Sequence, residues 1–378
     1  MSKNHTFSRS QILSAPPAAL ALLLHAISAT EQHPGATELR VLVEGLQDWD
    51  TLLQLAARHH VSPLLYQALH RTDWEGVPPA VHVRLKMHFA ANVKRNFRLA
   101  QHATGLLNAF NTAGVRVMPY KGVFIAASVY GHLSSREVSD IDLLIGADDL
   151  SAAREILLAA NFEPIEKLEQ QEVFRLAALQ IDIDLHWQIS PGFFPVAYDF
   201  QQLWRRSSPA QLGGVEYRAL SPEDLLLLLC VQLAKDCWER RQRLVQLQKV
   251  CDVAAVIRHS PGLEWDALQQ RAARQGLVRT LHFSLALAVG LLGARLPEAV
   301  AVGVDGDGVA LSLARQVSAL PELAETTVPP ERNSLLDVRL RLRQLVFYVR
   351  LRERLRDKWL YPVSVMRALL AGHGRNSA

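Results

Sequence analysis

Residues 181–187 read Ile-Asp-Ile-Asp-Leu-His-Trp, apolar at every odd position and polar at every even one. Side chains on a β-strand alternate faces. This run therefore sets Asp182, Asp184 and His186 on one face and leaves the other wholly apolar. Three polar residues aligned on an otherwise buried strand are costly to hold unless they serve a purpose.

Residues 139–145, Ser-Asp-Ile-Asp-Leu-Leu-Ile, repeat the device. Asp140 and Asp142 share one face, while Ile141 and Leu143 point into the core. Two carboxylates this close repel each other unless a cation sits between them, and hard divalent ions such as Mg²⁺ prefer carboxylate oxygens. If the two strands are neighbours, Asp140, Asp142 and Asp184 form a three-carboxylate cluster able to hold two metal ions, as phosphoryl-transfer sites do. One such strand alone is as readily the solvated face of a sheet edge. Asp182 competes with Asp184 for the third position; Asp184 is nearer the strand centre and His186, and is the expected ligand. Asp182 is then a supporting or surface residue. His186 is expected to hydrogen-bond a neighbouring carboxylate and orient it rather than to bind metal.

Upstream, Tyr120-Lys121-Gly122 falls where a short β run (Val115, Val117, Met118) ends and a helix over 122–130 begins. Such a junction offers free N–H groups and a positive dipole to an anion; Gly122 permits close approach and Lys121 adds a charge. Arg136, just before the acidic strand, has the fork geometry to clamp phosphate oxygens, or else pairs with Glu137 or Asp140. Ser139 is counted with these phosphate-contact residues. Lys235, on the first helix after the sheet, is a candidate for the β- or γ-phosphate.

The surrounding chain reads as helical. Residues 48–59, 61–69 and 81–110 carry apolar positions at helical spacing, the last as one long helix or two stacked ones. Residues 150–160 form a helix with Asp148 or Asp149 as cap and Asn161 as stop. Strands at 162–165, 173–175 and 181–189 complete a strand–helix–strand–helix–strand order ending in a hairpin. Ser221-Pro222-Glu223-Asp224 opens a second helical region containing 225–235 and 238–259, and 304–308 reads as a plain loop. The fold class is α+β: a small mixed sheet over residues 113–215, between helical domains at 1–112 and 216–378. The net charge of +4 is too small to imply a polyanionic partner. Cys230, Cys237 and Cys251 lack metal-ligand spacing and fit small core residues in a reducing cytoplasm. No apolar run reaches the roughly 18–20 residues of a membrane span, and 18–24 reads as a first amphipathic helix rather than an export signal.

Lys121-Gly122, Tyr130-Gly131, Arg136, Asp140-Ile141-Asp142-Leu143-Leu144-Ile145 and Asp184-Leu185-His186-Trp187 together resemble a bacterial group of uncharacterised nucleotidyltransferases within the DNA polymerase β-like superfamily. Trp49, Ala56, His60, Val61, Pro63, Leu64 and Leu65 upstream, and Lys235, Trp238 and Asp252-Val253-Ala254 downstream, are similar too, so the resemblance spans about residues 40 to 260. It implies a minimal nucleotidyltransferase core flanked by helical domains. Asp140 and Asp142 would bind the metal–nucleotide, and Asp184 the catalytic metal. The wider superfamily usually carries Gly-Ser where this chain has Lys121-Gly122, which opens nucleotide choice and turnover to question.

The expected activity is Mg²⁺- or Mn²⁺-dependent transfer of NMP from an NTP, ATP first among them, to a hydroxyl of an acceptor. That acceptor, whether a small molecule, a peptide or a protein, leaves no motif. Two rivals stand beside this reading: a nucleotide-binding interaction module without turnover, and an RNA-modifying enzyme. The second rests on Arg339, Arg341, Arg343, Arg350, Arg352, Arg354 and Arg356 near the C-terminus. Arginine stems covering core with their heads in water explain those residues more simply, so nucleic acid is the less favoured partner.

Overall fold

The computed structural model describes residues 12, 16–28, 36–196, 199–237, 246–319, 323–324 and 335–363. A helical layer comes first: α1 (Ala18–Ser28), α2 (Ala36–Glu44), α3 (Trp49–Arg58), α4 (Ser62–His70) and α5 (Pro79–Thr112). Apolar residues surround α1 on most sides, and Leu20, Leu22, Leu23, Leu24, Ala26 and Ile27 are all buried. It is a core helix more than an amphipathic one. The expected run at 81–110 is one unbroken helix of 34 residues.

The sheet follows as β1 (Val117–Pro119), α6 (Val123–Ser128), β2 (Asp140–Ile145), α7 (Leu150–Ala159), β3 (Glu163–Lys167), β4 (Gln171–Leu176) and β5 (Ile181–His186). Strand order is β1-β2-β5-β4-β3. β2 and β5 are parallel, and every other pair is antiparallel. The sheet is mixed, as its sequence order implied. Its odd-numbered apolar residues on β2 and β5 (Ile141, Leu143, Ile181, Ile183 and Leu185) pack with Leu106 and Phe110 of α5 and Leu157 of α7. Met118 and Leu144, on the opposite face, join the core of the helical layers instead. The sheet is therefore buried on both sides at its β1–β2 end, and the polar residues of β2 and β5 lie on the face turned to the helical layers.

Asp149 occupies the N-cap of α7 but makes no side-chain cap bond; it receives Arg116 Nε at 3.0 Å instead. Asn161 does end that helix, in the left-handed region at φ 63°. Beyond α8 (Phe200–Arg206) comes a feature the sequence reading did not anticipate. Strands β6 (Ser208–Leu212) and β7 (Val215–Ala219) pair as a separate hairpin, and their Leu212 and Tyr217 join the sheet-side core.

The second helical layer holds α9 (Pro222–Asp236), α10 (Leu247–His259), α11 (Trp265–Gln275), α12 (Val278–Leu292), α13 (Glu298–Gly306), α14 (Gly308–Ser318), α15 (Leu335–Leu351) and α16 (Leu355–Lys358). Ser221 caps α9 by accepting from Asp224 N–H, as its sequence implied. The Trp238 end of the expected 238–259 helix lies outside the described residues. Residues 304–308 are a junction of two helices rather than a plain loop: Asp307 ends α13 and caps α14 by accepting from Ala310 N–H at 3.0 Å. All three cysteines are buried, where burial pushes the Cys230 and Cys251 thiols up to about 12. Among the described residues no helix is long and apolar enough to cross a membrane.

Candidate active site

The parallel pairing of β2 with β5 sets Asp140 opposite Asp182, Asp142 opposite Asp184, and Leu144 opposite His186. Residues opposite each other across a ladder share a face. The two acidic rows therefore meet. Asp142 is 1% exposed, and a ligand atom each from Asp142, Asp184 and His186 lies within 4.8 Å of the others. His186 Nε2 is 3.1 Å from Asp142 Oδ1 and 3.9 Å from Asp184 Oδ2. A carboxylate can only accept, so Nε2 carries the proton in its bond to Asp142. The Nδ1 lone pair is buried without a hydrogen-bond partner.

Each carboxylate has its own surroundings. Asp142 accepts from Lys121 Nζ at 2.5 Å and from His186 on the same oxygen, Oδ1. Gln171, across the β4–β5 ladder, donates to Asp184 Oδ2 at 2.8 Å. Arg175 holds Asp182 with two bonds, Nε to Oδ1 at 2.6 Å and Nη2 to Oδ2 at 2.7 Å, which closes Asp182 into a pair beside the cluster. Asp140 stands on the same face, half-buried, with the Ser139 hydroxyl as a hydrogen-bond partner; it is not one of the three groups whose ligand atoms converge.

The electrostatics follow. Burial, then the charges of Asp142 and Asp140, push Asp184 up to about 7. Burial and Asp142 raise Asp140 as well. Asp142 goes the other way: burial opposes its charge, but Lys121 and His186 outweigh it and hold it below the usual carboxylate range. Burial lowers His186, which stays neutral. Three carboxylates thus share one ammonium and a neutral ring.

The family of uncharacterised nucleotidyltransferases matches residues 46–293. This chain belongs to that family. The match starts close to the expected residue 40 and runs past 260 into α12. No curated protein matches the chain. Among solved structures, ANT(2")-Ia in complex with adenylyl-2"-tobramycin is 13% identical with a TM-score of 0.34, over 46% of this chain and 95% of that one. An antigenic nucleotidyltransferase-like protein from Paracoccidioides brasiliensis is 16% identical with a TM-score of 0.32, over 53% and 95%. The family match decides the assignment; the structural likenesses add nothing to it.

Within this nucleotidyltransferase, three expected phosphate contacts also have partners inside the chain. The Arg136 side chain does not pair with the carboxylates of Glu137 and Asp140, although its Nη1 donates to the Glu137 carbonyl at 3.1 Å. Its Nε and Nη2 grip Asp252 of α10 at 3.0 and 2.9 Å, and Tyr130 donates to the same carboxylate at 2.9 Å. Gly122 sits at φ 64°, where a Cβ would meet Asp140 O at 3.0 Å and Val138 Cγ1 at 3.3 Å. Its bareness lets the turn after β1 lie on the β2 backbone. The helix behind it, α6, has only six residues. Lys235 reaches Asp236 at 3.3 Å, and Asp236 also holds Lys249 at 2.5 Å.

Tyr120, Gln171 and Lys249 are the site neighbours that sequence reading missed as such. Tyr120 places its hydroxyl 3.3 Å from His186 Nε2. Gln171 carries no motif; only its register opposite His186 brings it beside Asp184. Among the C-terminal arginines, Arg352 is buried over the Phe194 ring at 4.5 Å rather than keeping its head in water. Arg356 is exposed and Arg350 bonds Ser312. The side chains of Arg339 and Arg341 lie outside the described residues.

Proposed function

We propose that the protein transfers NMP from an NTP, ATP first among them, to a hydroxyl of an acceptor with release of pyrophosphate. The observation that carries this reading is the parallel alignment of Asp142 with Asp184 on neighbouring strands. It belongs to the polymerase β-like type of nucleotidyltransferase in this proposal, with residues 113–215 as the core between helical domains and the β6–β7 hairpin counted with the core. A cytoplasmic, reducing setting suits three buried thiols.

The donors fit a hard divalent ion. Two carboxylates converge beside a neutral ring, and the raised Asp184 and Asp140 mark negative charge that the site's own cations leave uncompensated. Mg²⁺ or Mn²⁺ held by Asp142 and Asp184, with Asp140 beside them, would offset phosphate charge and acidify the acceptor hydroxyl. The chain's residues do the rest. Asp184, fixed by Gln171, helps draw the proton from the acceptor hydroxyl. The acceptor's hydroxyl oxygen then bonds the α-phosphorus as the bond to pyrophosphate breaks. Lys121, Ser139 and Lys235 supply positive charge and hydrogen bonds to the triphosphate. Arg136 acts at one remove, by anchoring the chain that leads into Asp140. Positioning and preorganised charge give most of the rate.

The test is incubation with α-labelled NTPs, Mg²⁺ and cell extract. Label should pass to an acceptor with the native protein and not with Asp142→Ala. Clear ATP binding with no label in any fraction would leave only a nucleotide-binding module.

A further inference from the structure

We propose that Lys121 is a tethered cation that occupies the carboxylate site and yields it to a divalent ion arriving with a nucleotide. This rests on the functional reading above. It adds that metal and nucleotide bind as a coupled pair, and that one side chain sets the coupling.

Three observations carry it. Lys121 Nζ lies 2.5 Å from Asp142 Oδ1, the oxygen that also receives His186 and belongs to the converging trio. An ion reaching that oxygen must compete with the ammonium. Second, the Lys121 backbone cannot retreat. Gly122 is seated so tightly on β2 that even a methyl group would press on Asp140 O. Only the flexible four-carbon stem can swing. Third, the Lys121 side chain is 23% exposed while Asp142 is 1% exposed, so the stem that carries the buried head borders solvent. A bare ion would drive the ammonium off Asp142 and offer it nothing in return. An ion carried by a triphosphate brings phosphate oxygens for it, and the exchange conserves ion pairs. Coupling of this kind is reciprocal: whatever the nucleotide does for metal affinity, the metal does for nucleotide affinity.

The experiment measures Mn²⁺ affinity by electron paramagnetic resonance, with and without an ATP analogue that cannot be cleaved between the α- and β-phosphates. In the wild type, free Mn²⁺ should bind weakly and at least tenfold tighter with the analogue. Lys121→Met should bind free Mn²⁺ at least tenfold tighter than wild type and lose most of the coupling, while Lys121→Arg keeps wild-type behaviour. Unchanged or weaker Mn²⁺ binding by folded Lys121→Met overturns the proposal. Should that variant fail to fold, the wild type still decides. Acylation of Lys121 by an amine-reactive reagent, mapped by peptide mass, should rise severalfold when Mn²⁺ alone is added, and no change overturns the proposal. Absence of Mn²⁺ binding in every protein, with or without the analogue, would sink the functional reading too; normal binding with an indifferent Lys121 sinks only this inference.

Discussion

Two groups of buried charge sit at either end of the segment leading into β2, and they differ in their balance. At Arg136 one guanidinium meets one carboxylate in a forked pair, and Tyr130 donates to Asp252 as well. The carbonyl of Arg136 accepts from Asn92 and Asn96 of α5. Charge is matched there and the lone pairs of Asp252 are taken up. At Asp140, Asp142 and Asp184 three carboxylates share Lys121 and a neutral histidine. The first arrangement is finished without a ligand and ties α10 to the sheet. The second keeps excess negative charge beside the mouth of a parallel strand pair, which a folded protein tolerates when a cation completes it.

Substitutions should split along that line. Asp184→Asn is expected to cut nucleotidyl transfer by about 10³-fold, the scale of losing one preorganised electrostatic group. Its urea midpoint should stay level or rise, because one of three repelling charges is gone. A loss of stability matching the loss of activity would mean that Asp184 is structural and would break the contrast. Asp252→Ala should behave in the opposite sense. Removing one partner of a buried pair costs about 3–5 kcal/mol, read as a lower denaturation midpoint. The double change Arg136→Met with Asp252→Leu should recover much of it, since no charge is then stranded. If Asp252→Ala leaves the midpoint untouched, the pair is not the anchor described here.

Much of this contrast was readable beforehand, but unevenly. The alternation over 139–143 and 181–187 is a local property of a strand, so it revealed both acidic faces. What the sequence lacked was pairing. Gln171 reaches Asp184 only because β4 lies antiparallel to β5. Asp252 meets Arg136 only because α10 packs against the turn before β2, more than a hundred residues away in the chain. A motif can show that Arg136 has a fork, but not which carboxylate fills it. Gly122 shows the same limit: close approach was inferred, but the sequence did not show that the β2 backbone is one of the things approached. The β6–β7 hairpin was missed although Val-Glu-Tyr-Arg-Ala alternates, because each strand has only five residues and only Leu212 and Tyr217 are buried.

The smaller effects are in the pH dependence of stability, where two buried groups pull in opposite directions. His59 is 1% exposed; its Nδ1 accepts from Leu247 N–H, so Nε2–H donates to Leu323 O at 3.1 Å. Burial lowers it to about 4. The unfolded chain then binds more protons between the ordinary histidine value near 6.5 and 4, so stability is full above that window and falls through it as acid is added. The shift amounts to about 3 kcal/mol at about 1.4 kcal/mol per unit, and His59→Gln should flatten this limb of a urea titration. Asp184 has the reverse sign. Raised to about 7 from 3.8, it makes the folded protein bind more protons across that span, so stability falls as pH rises toward neutrality. Solvent reaches Asp184 more than His59, which trims its limb below that of His59. Saturating Mg²⁺ should abolish the Asp184 limb and leave the His59 limb intact, because only one of the two groups faces the carboxylate cluster. A rise in stability between pH 4 and 7 that is the same with and without Mg²⁺, and in Asp184→Asn, would show that the cluster has no unmet charge, and the difference between the two groups of buried charge would vanish.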